Sequence, residues 1–209
     1  MMNLKKWLCA ALVLALCLVC AAVAEEGVFY GQNDHGVGGT IRVAVTMEGD
    51  TIKAIKTLEQ NETRGLGTTA ILQLTKDIVN SNSLDVDTVS GATLSSFAFT
   101  GAVRQAVEEA TGFDPAAQVA LGDDEYLGIS DNGLGGRLMV KATIQEGRIT
   151  GIEVLEAHES EEIGMAALDV QIPRILENGS TDVDGISGAT ITCSALSEAV
   201  ANALTASEQ

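Results

Sequence analysis

The chain has 209 residues, of which 46% are hydrophobic and 20% charged, and it carries a formal net charge of −17. So acidic a surface repels nucleic acid and anionic lipid headgroups. With its one tryptophan at Trp7, the chain offers no evident aromatic platform for stacking bases.

The first segment reads as an export signal. Lys5 and Lys6 precede an apolar run from Trp7 to Val23, and Ala22-Val23-Ala24 before Glu25 fits a small-x-small cleavage site. We expect a signal peptide over residues 1–24, cleaved after Ala24, and an extracytoplasmic mature protein. A retained membrane anchor and a lipid-modified Cys20 are the alternatives. Cleavage would remove Cys9, Cys17 and Cys20 and leave only Cys193, so no internal disulfide could form. The mature charge would be −19, because Lys5 and Lys6 go and no acid goes with them.

Residues 40–47 alternate Ile41, Val43, Val45 and Met47 with polar residues, the signature of a half-buried strand. Glu48-Gly49-Asp50 predicts a turn and residues 52–58 a second strand, together a hairpin. A polar loop, residues 62–67, leads into a helix predicted over 69–80. A short strand over 86–89 and a helix over 96–110 follow. Gly112, Pro115 and Asp123-Asp124 mark a connection. The same order then recurs: strands over 138–144 and 149–155, a loop over 159–164, a helix over 166–177, a short strand over 183–186 and a helix over 194–204. Pro173 predicts a kink or break in the third of these helices.

The recurrence is a duplication. Residues 87–95 read Asp-Thr-Val-Ser-Gly-Ala-Thr-Leu-Ser, and residues 184–192 read Asp-Gly-Ile-Ser-Gly-Ala-Thr-Ile-Thr, an offset of 97 positions. The same offset aligns Gly38 with Gly135, Ile52 with Ile149, Glu62 with Glu159 and Gly67 with Gly164, without a gap. Two long repeats make tandem domains and not a solenoid. The expected architecture is α+β: two copies of a small antiparallel sheet flanked by helices, spanning residues 25–112 and 125–209, with a linker at 113–124.

The repeated motif puts a Gly-Ala turn immediately before a helix. Free N–H groups at a helix start favour an anion. Ser90, Thr93, Ser95 and Ser96 add hydroxyls in the first copy, and Ser187, Thr190, Thr192 and Ser194 in the second. Gly91 and Gly188 allow a ligand to approach the backbone. An ordinary Ser or Thr N-cap needs one residue, whereas here a whole motif is preserved twice.

This motif resembles the flavin-attachment site of the FMN-binding domain family, written Asp-x-x-Ser/Thr-Gly-Ala-Thr/Ser-x-Ser/Thr. That family includes the C subunit of the sodium-translocating NADH:quinone oxidoreductase, the G subunit of the Rnf complex and extracellular electron-transfer flavoproteins. The resemblance implies FMN joined through its phosphate to a motif hydroxyl by a flavin transferase, one or two per chain. The implied acceptors are Ser95 and Thr192, with Thr93 and Thr190 as the fallback. Ser90, Gly91 and Ala92, and Ser187, Gly188 and Ala189, would line the cofactor. The family also shows a Glu-Thr-Pro-Gly-x-Gly loop along the flavin. Glu62, Thr63, Gly65 and Gly67 match it, with Arg64 in place of Pro; the second copy keeps Glu159, a hydroxyl at Ser160 and Gly164 but has Glu161 and Glu162 where the first has Arg64 and Gly65. The implied function is that of an exported electron carrier served by a membrane or cell-envelope redox partner, with no nucleic acid involved. A flavin-dependent reductase module and a flavin-free cell-envelope binding module are the alternatives.

The remaining signals are weaker. His35 and His158 are the two histidines; a surface role is expected for both, with His158 beside Glu159 the nearer to a flavin. No Cys-x-x-Cys or His-Glu-x-x-His spacing predicts a metal. Cys193 at a helix start could be a reactive thiolate, but a small packed side chain is the simpler expectation.

Overall fold

The computed structural model describes residues 26–209; the signal segment expected at 1–24 lies outside the described residues. The first copy contains β1 (Glu26–Gly36), β2 (Gly39–Glu48), β3 (Thr51–Glu59), α1 (Gly67–Ser81) and α2 (Thr93–Thr111). A short 3-10 turn, Pro115–Gln118, follows. The second copy has β4 (Glu125–Gly133), β5 (Gly136–Gln145), β6 (Arg148–Ala157), α3 (Ala166–Asn178) and α4 (Thr190–Ser207). Each sheet is an antiparallel meander, in order β1-β2-β3 and β4-β5-β6. Two tandem α+β copies are therefore what the chain forms.

The central strands behave as their alternation predicts. Ile41, Val43, Val45 and Met47 of β2 point into one core, with Ile71, Leu74 and Ile78 of α1 and Ala98, Phe99, Ala102 and Val103 of α2. Leu138 and Val140 of β5 do the same in the second copy, against Leu168 and Ile175 of α3 and Leu196, Ala199 and Val200 of α4. Each large apolar side chain buried this way contributes roughly 1.5–3 kcal/mol.

Four expectations are corrected. Residues 86–89 and 183–186 are not strands but extended connections. The sheets have a third strand, β1 or β4, which the sequence reading passed over. Within these strands Gly31 and Gly128 sit where a helix crosses the sheet. A Cβ there would fall 1.9 Å from the carbonyl oxygen of Ala102 or Ala199, so these glycines let a helix lie directly on the sheet. Helices α2 and α4 begin inside the motif, at Thr93 and Thr190, and not after it. Helix α3 runs unbroken through Pro173; a single π-helical turn, Glu161–Met165, precedes it.

The copies touch head to tail. The β4–β5 turn of the second copy docks on α2 of the first, where the Asn33 side chain donates to the Leu134 carbonyl at 3.3 Å. A methyl group on Gly101 would lie 2.6 Å from the Gly135 carbonyl oxygen, so this helix position admits only glycine. Arg137 of the second copy pairs with Glu108 of the first at 3.0 Å. Burial pushes the Glu108 carboxyl up, against the opposing pull of Arg137.

Candidate functional site

Each motif folds as a tight turn running into a helix. Gly91 and Gly188 take φ of +79° and +88°, a conformation that glycine adopts without steric cost. The turn closes on itself, with Ala92 N–H donating to the Val89 carbonyl at 2.9 Å and Ala189 N–H to Ile186 at 3.0 Å. The residue at the helix N-cap is Ala92 or Ala189, and neither helix start carries a side-chain capping bond. Alanine is among the poorest caps. An ordinary Ser or Thr cap therefore does not account for the motif, and the first-turn N–H groups have no side chain to satisfy them.

The motif hydroxyls divide into two kinds. Ser95 and Thr192 are buried, 2% and 3% exposed. Ser95 donates to Glu62 Oε2, and Thr192 donates to Glu159 Oε2 at 2.5 Å. The other oxygen of each carboxylate takes a backbone N–H from the turn between the first two strands: Gly38 at 3.0 Å in the first copy and Leu134 at 2.8 Å in the second. Glu62 and Glu159 are themselves buried. Each thus clamps the motif helix to the hairpin turn through charge-assisted bonds, stronger than neutral ones. Gly67 and Gly164 pack against the same clamp; a Cβ on Gly67 would be 2.8 Å from Ser95 Oγ, and one on Gly164 3.2 Å from Thr192 Oγ1.

Thr93 and Thr190, by contrast, are exposed at the first position of their helices, and Ser90, Gly91, Ser187 and Gly188 are exposed beside them. Thr63 and Gly65 lie exposed in the first-copy loop, where Gly65 N–H donates to Thr68 Oγ1 at 3.1 Å. Two residues that sequence reasoning passed over flank this surface. Leu66 and Leu94 are each 45% exposed, and Leu66 Cδ1 lies 3.7 Å from where a Cβ on Gly91 would be. Ile163, 55% exposed, takes the place of Leu66 in the second copy. Apolar side chains left in water beside an uncapped helix start were the available signal. Together these features fit an anionic, phosphate-bearing group: free N–H groups, a reachable hydroxyl, and exposed apolar side chains beside them.

The neighbouring polar residues settle into structural places. Cys193 is buried with Ala167 and Ala189 and accepts the Ile186 N–H at 3.4 Å. Ser96, its counterpart, accepts the Val89 N–H at 3.1 Å. His158 is half-buried and bonds Glu156 at 2.9 Å, a bond that holds the Glu156 carboxyl below its usual range. It lines a crevice between the copies together with Thr88, Ser96, Phe97 and Arg104. No cluster of metal-ligating side chains occurs among the described residues, and no described helix is long and apolar enough to cross a membrane.

Comparison with known proteins bears on the repeated unit itself. A stretch of 90 residues is 41% identical to a urocanate reductase of Eggerthella lenta; it covers 43% of this chain, and the chain spans about 15% of the length of that relative. The model of the FMN-binding domain matches residues 36–108 and again 133–205, the same offset of 97 that the motif shows. The chain belongs to the FMN-binding domain family and carries that domain twice.

Proposed function

We propose that this chain is an exported flavoprotein electron carrier with FMN bonded through its phosphate to each copy, at Thr93 and Thr190. The observation that carries this choice of acceptor is the contrast in exposure. A transferase must reach the hydroxyl, and Thr93 and Thr190 are exposed, whereas Ser95 and Thr192 are buried and already donate to a carboxylate. FMN supplies the redox chemistry. The protein supplies attachment, apolar cover from Leu66 and Leu94, and the charges that set the potential. Carriage of electrons needs no catalytic acid or base. Covalent attachment suits an exported carrier, since a dissociable cofactor would be lost by dilution. The acidic surface favours a basic or membrane-associated redox partner.

The likeness to a urocanate reductase favours a second reading, in which the chain serves as a flavin module of a reductase whose substrate site lies elsewhere.

Intact mass of the full chain, produced with a flavin transferase, tests the attachment. Two added FMN groups are expected. Thr93→Ala and Thr190→Ala should each remove one, and the double variant both. An unmodified mass overturns the covalent reading, and two flavins on the double variant overturn the acceptors. Saturable reduction of a small organic acid by the purified chain alone would replace the carrier reading with the reductase one.

A further inference from the structure

The two attachment sites share the motif turn but not the charge of the loop beside it. In the first copy the loop 62–67 lies against the motif, Leu66 beside Gly91 and Gly67 beside Ser95, and it carries the exposed Arg64. In the second copy the positions of Arg64 and Gly65 are taken by Glu161 and Glu162, both exposed at the start of the π turn that packs Gly164 against Thr192. One positive charge is thus replaced by two negative ones at the same distance along the chain from the motif.

A second difference has the same sign. Arg104 on α2 lines the crevice beside Thr88, Ser96 and Phe97 of the first motif region, which His158 of the second copy also lines, and its Nε is buried without a hydrogen-bond partner. Its counterpart on α4 is Ala201. Other differences oppose: Glu108, whose charge acts on Arg104 from the same helix, has the neutral Thr205 as its counterpart. Arg174, which takes the place of Asp77, donates to the Asp184 carbonyl at 3.4 Å. That contact is at the aspartate end of the motif, whereas the loops meet the glycine-to-helix end where Thr93 and Thr190 stand.

On the two-flavin reading above, we infer that the chain is polarised: the second-copy site is the electron donor, the first-copy site is the acceptor, and Arg64, Glu161 and Glu162 set that direction. Two-electron reduction of a flavin near neutral pH adds negative charge to its ring. A cation nearby stabilises that charge and carboxylates oppose it. The Glu161–Glu162 side therefore makes the more reducing site and the Arg64 side the more oxidising one. The exchange balances: two electrons and a proton leave the reduced flavin at the second site, and the oxidised flavin at the first takes up two electrons and a proton. The dock between the copies links the two sites. Glu159, which holds Thr192, also bonds Leu134 in the turn that docks on α2, and Gly101 at that dock is eight residues, about 12 Å of helix rise, from Thr93.

Single-flavin forms of the full chain, Thr93→Ala and Thr190→Ala, test the inference by spectroelectrochemical titration after intact mass has shown one FMN on each. The flavin left by Thr93→Ala should be the more reducing. The expected bias is at least about tenfold in the exchange equilibrium, roughly 30 mV for a two-electron couple. Arg64→Glu placed in the Thr190→Ala form should shift its potential toward that of the second site. Glu161→Arg with Glu162→Gly in the Thr93→Ala form should shift the other way. Because these side chains are exposed, the gap should also narrow with salt between about 0.05 and 1 M without any loop substitution. Equal potentials, or the reverse order, in chains that each carry one flavin would overturn the polarity and leave the carrier reading standing. Absence of flavin on both forms would overturn the covalent attachment itself and this inference with it.

Discussion

Leu74 of the first copy and Gln171 of the second occupy the same position in their domains, 97 residues apart, and both are buried. Leu74 packs among Ile71, Ile78 and Phe99; both polar atoms of the Gln171 amide are buried without a hydrogen-bond partner. Gly101 and Glu198 form a second unlike pair. Gly101 is bare because the Gly135 carbonyl sits on it, while Glu198 reaches out to Ser130 and Asn132 at 2.7 Å each. A third pair is Val37, 58% exposed, and Leu134, 6% exposed, at the tips of the equivalent turns. The clamp from Glu62 or Glu159 to the motif hydroxyl is the same in both halves. What duplication conserved is the geometry of the motif turn; what it released is the surface where one copy meets the other and one stretch of the second core.

The docking surface is the place where the comparison breaks most sharply. Gly101→Glu installs in the first copy the residue that the second copy already has. Its Cβ would collide with the Gly135 carbonyl and approach the Asn33 amide to 3.0 Å. We expect a loss of about 3 kcal/mol in urea unfolding of the full chain, the upper range for overpacking a fitted contact, and a wider molecule by small-angle scattering. An unchanged unfolding midpoint would mean that the copies do not depend on this contact.

The core pair predicts a change in the opposite direction. Gln171→Leu gives the second copy the side chain that the first already accommodates. A buried polar group without a partner costs about 1–3 kcal/mol, so the variant should gain about 2 kcal/mol, read as a higher urea midpoint with an unchanged slope. A loss of stability would show that the amide is satisfied in the native protein, and the two cores would then differ by more than one side chain.

The sequence made the duplication, the central hairpins and the motif legible because these depend on local rules: alternation, turn residues and a repeated spacing. Strands β1 and β4 were not legible, since Gly31 and Gly128 look like breakers until the crossing helix that requires them is known. Nor was the sorting of the motif hydroxyls. Thr93 and Ser95 differ by two positions, and which of them is buried depends on where the helix begins and on Glu62, 33 residues upstream. The sequence aligned Glu62 with Glu159, but only the fold reveals that they bond the hydroxyls that it ranked first as acceptors. Residues 86–89 fail as a strand for a similar reason: the apolar Val86 and Val89 pack under the helices with no neighbouring strand to pair with.

The smallest expected effect separates the copies by pH. Hydrogen bonds from Ser130 first, and then Asn132, hold the Glu198 carboxyl below its usual range. The first copy, with Gly101 in that place, has no such group. A carboxylate with a lowered folded pKa adds stability above its unfolded value, and that stability is lost as pH falls through the folded value. Glu198→Gln should therefore cost the full chain stability at pH 7, and the cost should vanish in acid, where the native side chain is itself neutral. Glu198 is exposed, so water and salt screen it and the difference should be no more than about 0.5 kcal/mol. Thermal melts of the two proteins at pH 7 and again well below the ordinary glutamate value of 4.5 would check it. A difference that persists undiminished in acid would assign the effect to the shape of the Ser130–Asn132 contact and not to its charge, and the second copy would then differ from the first there in packing alone.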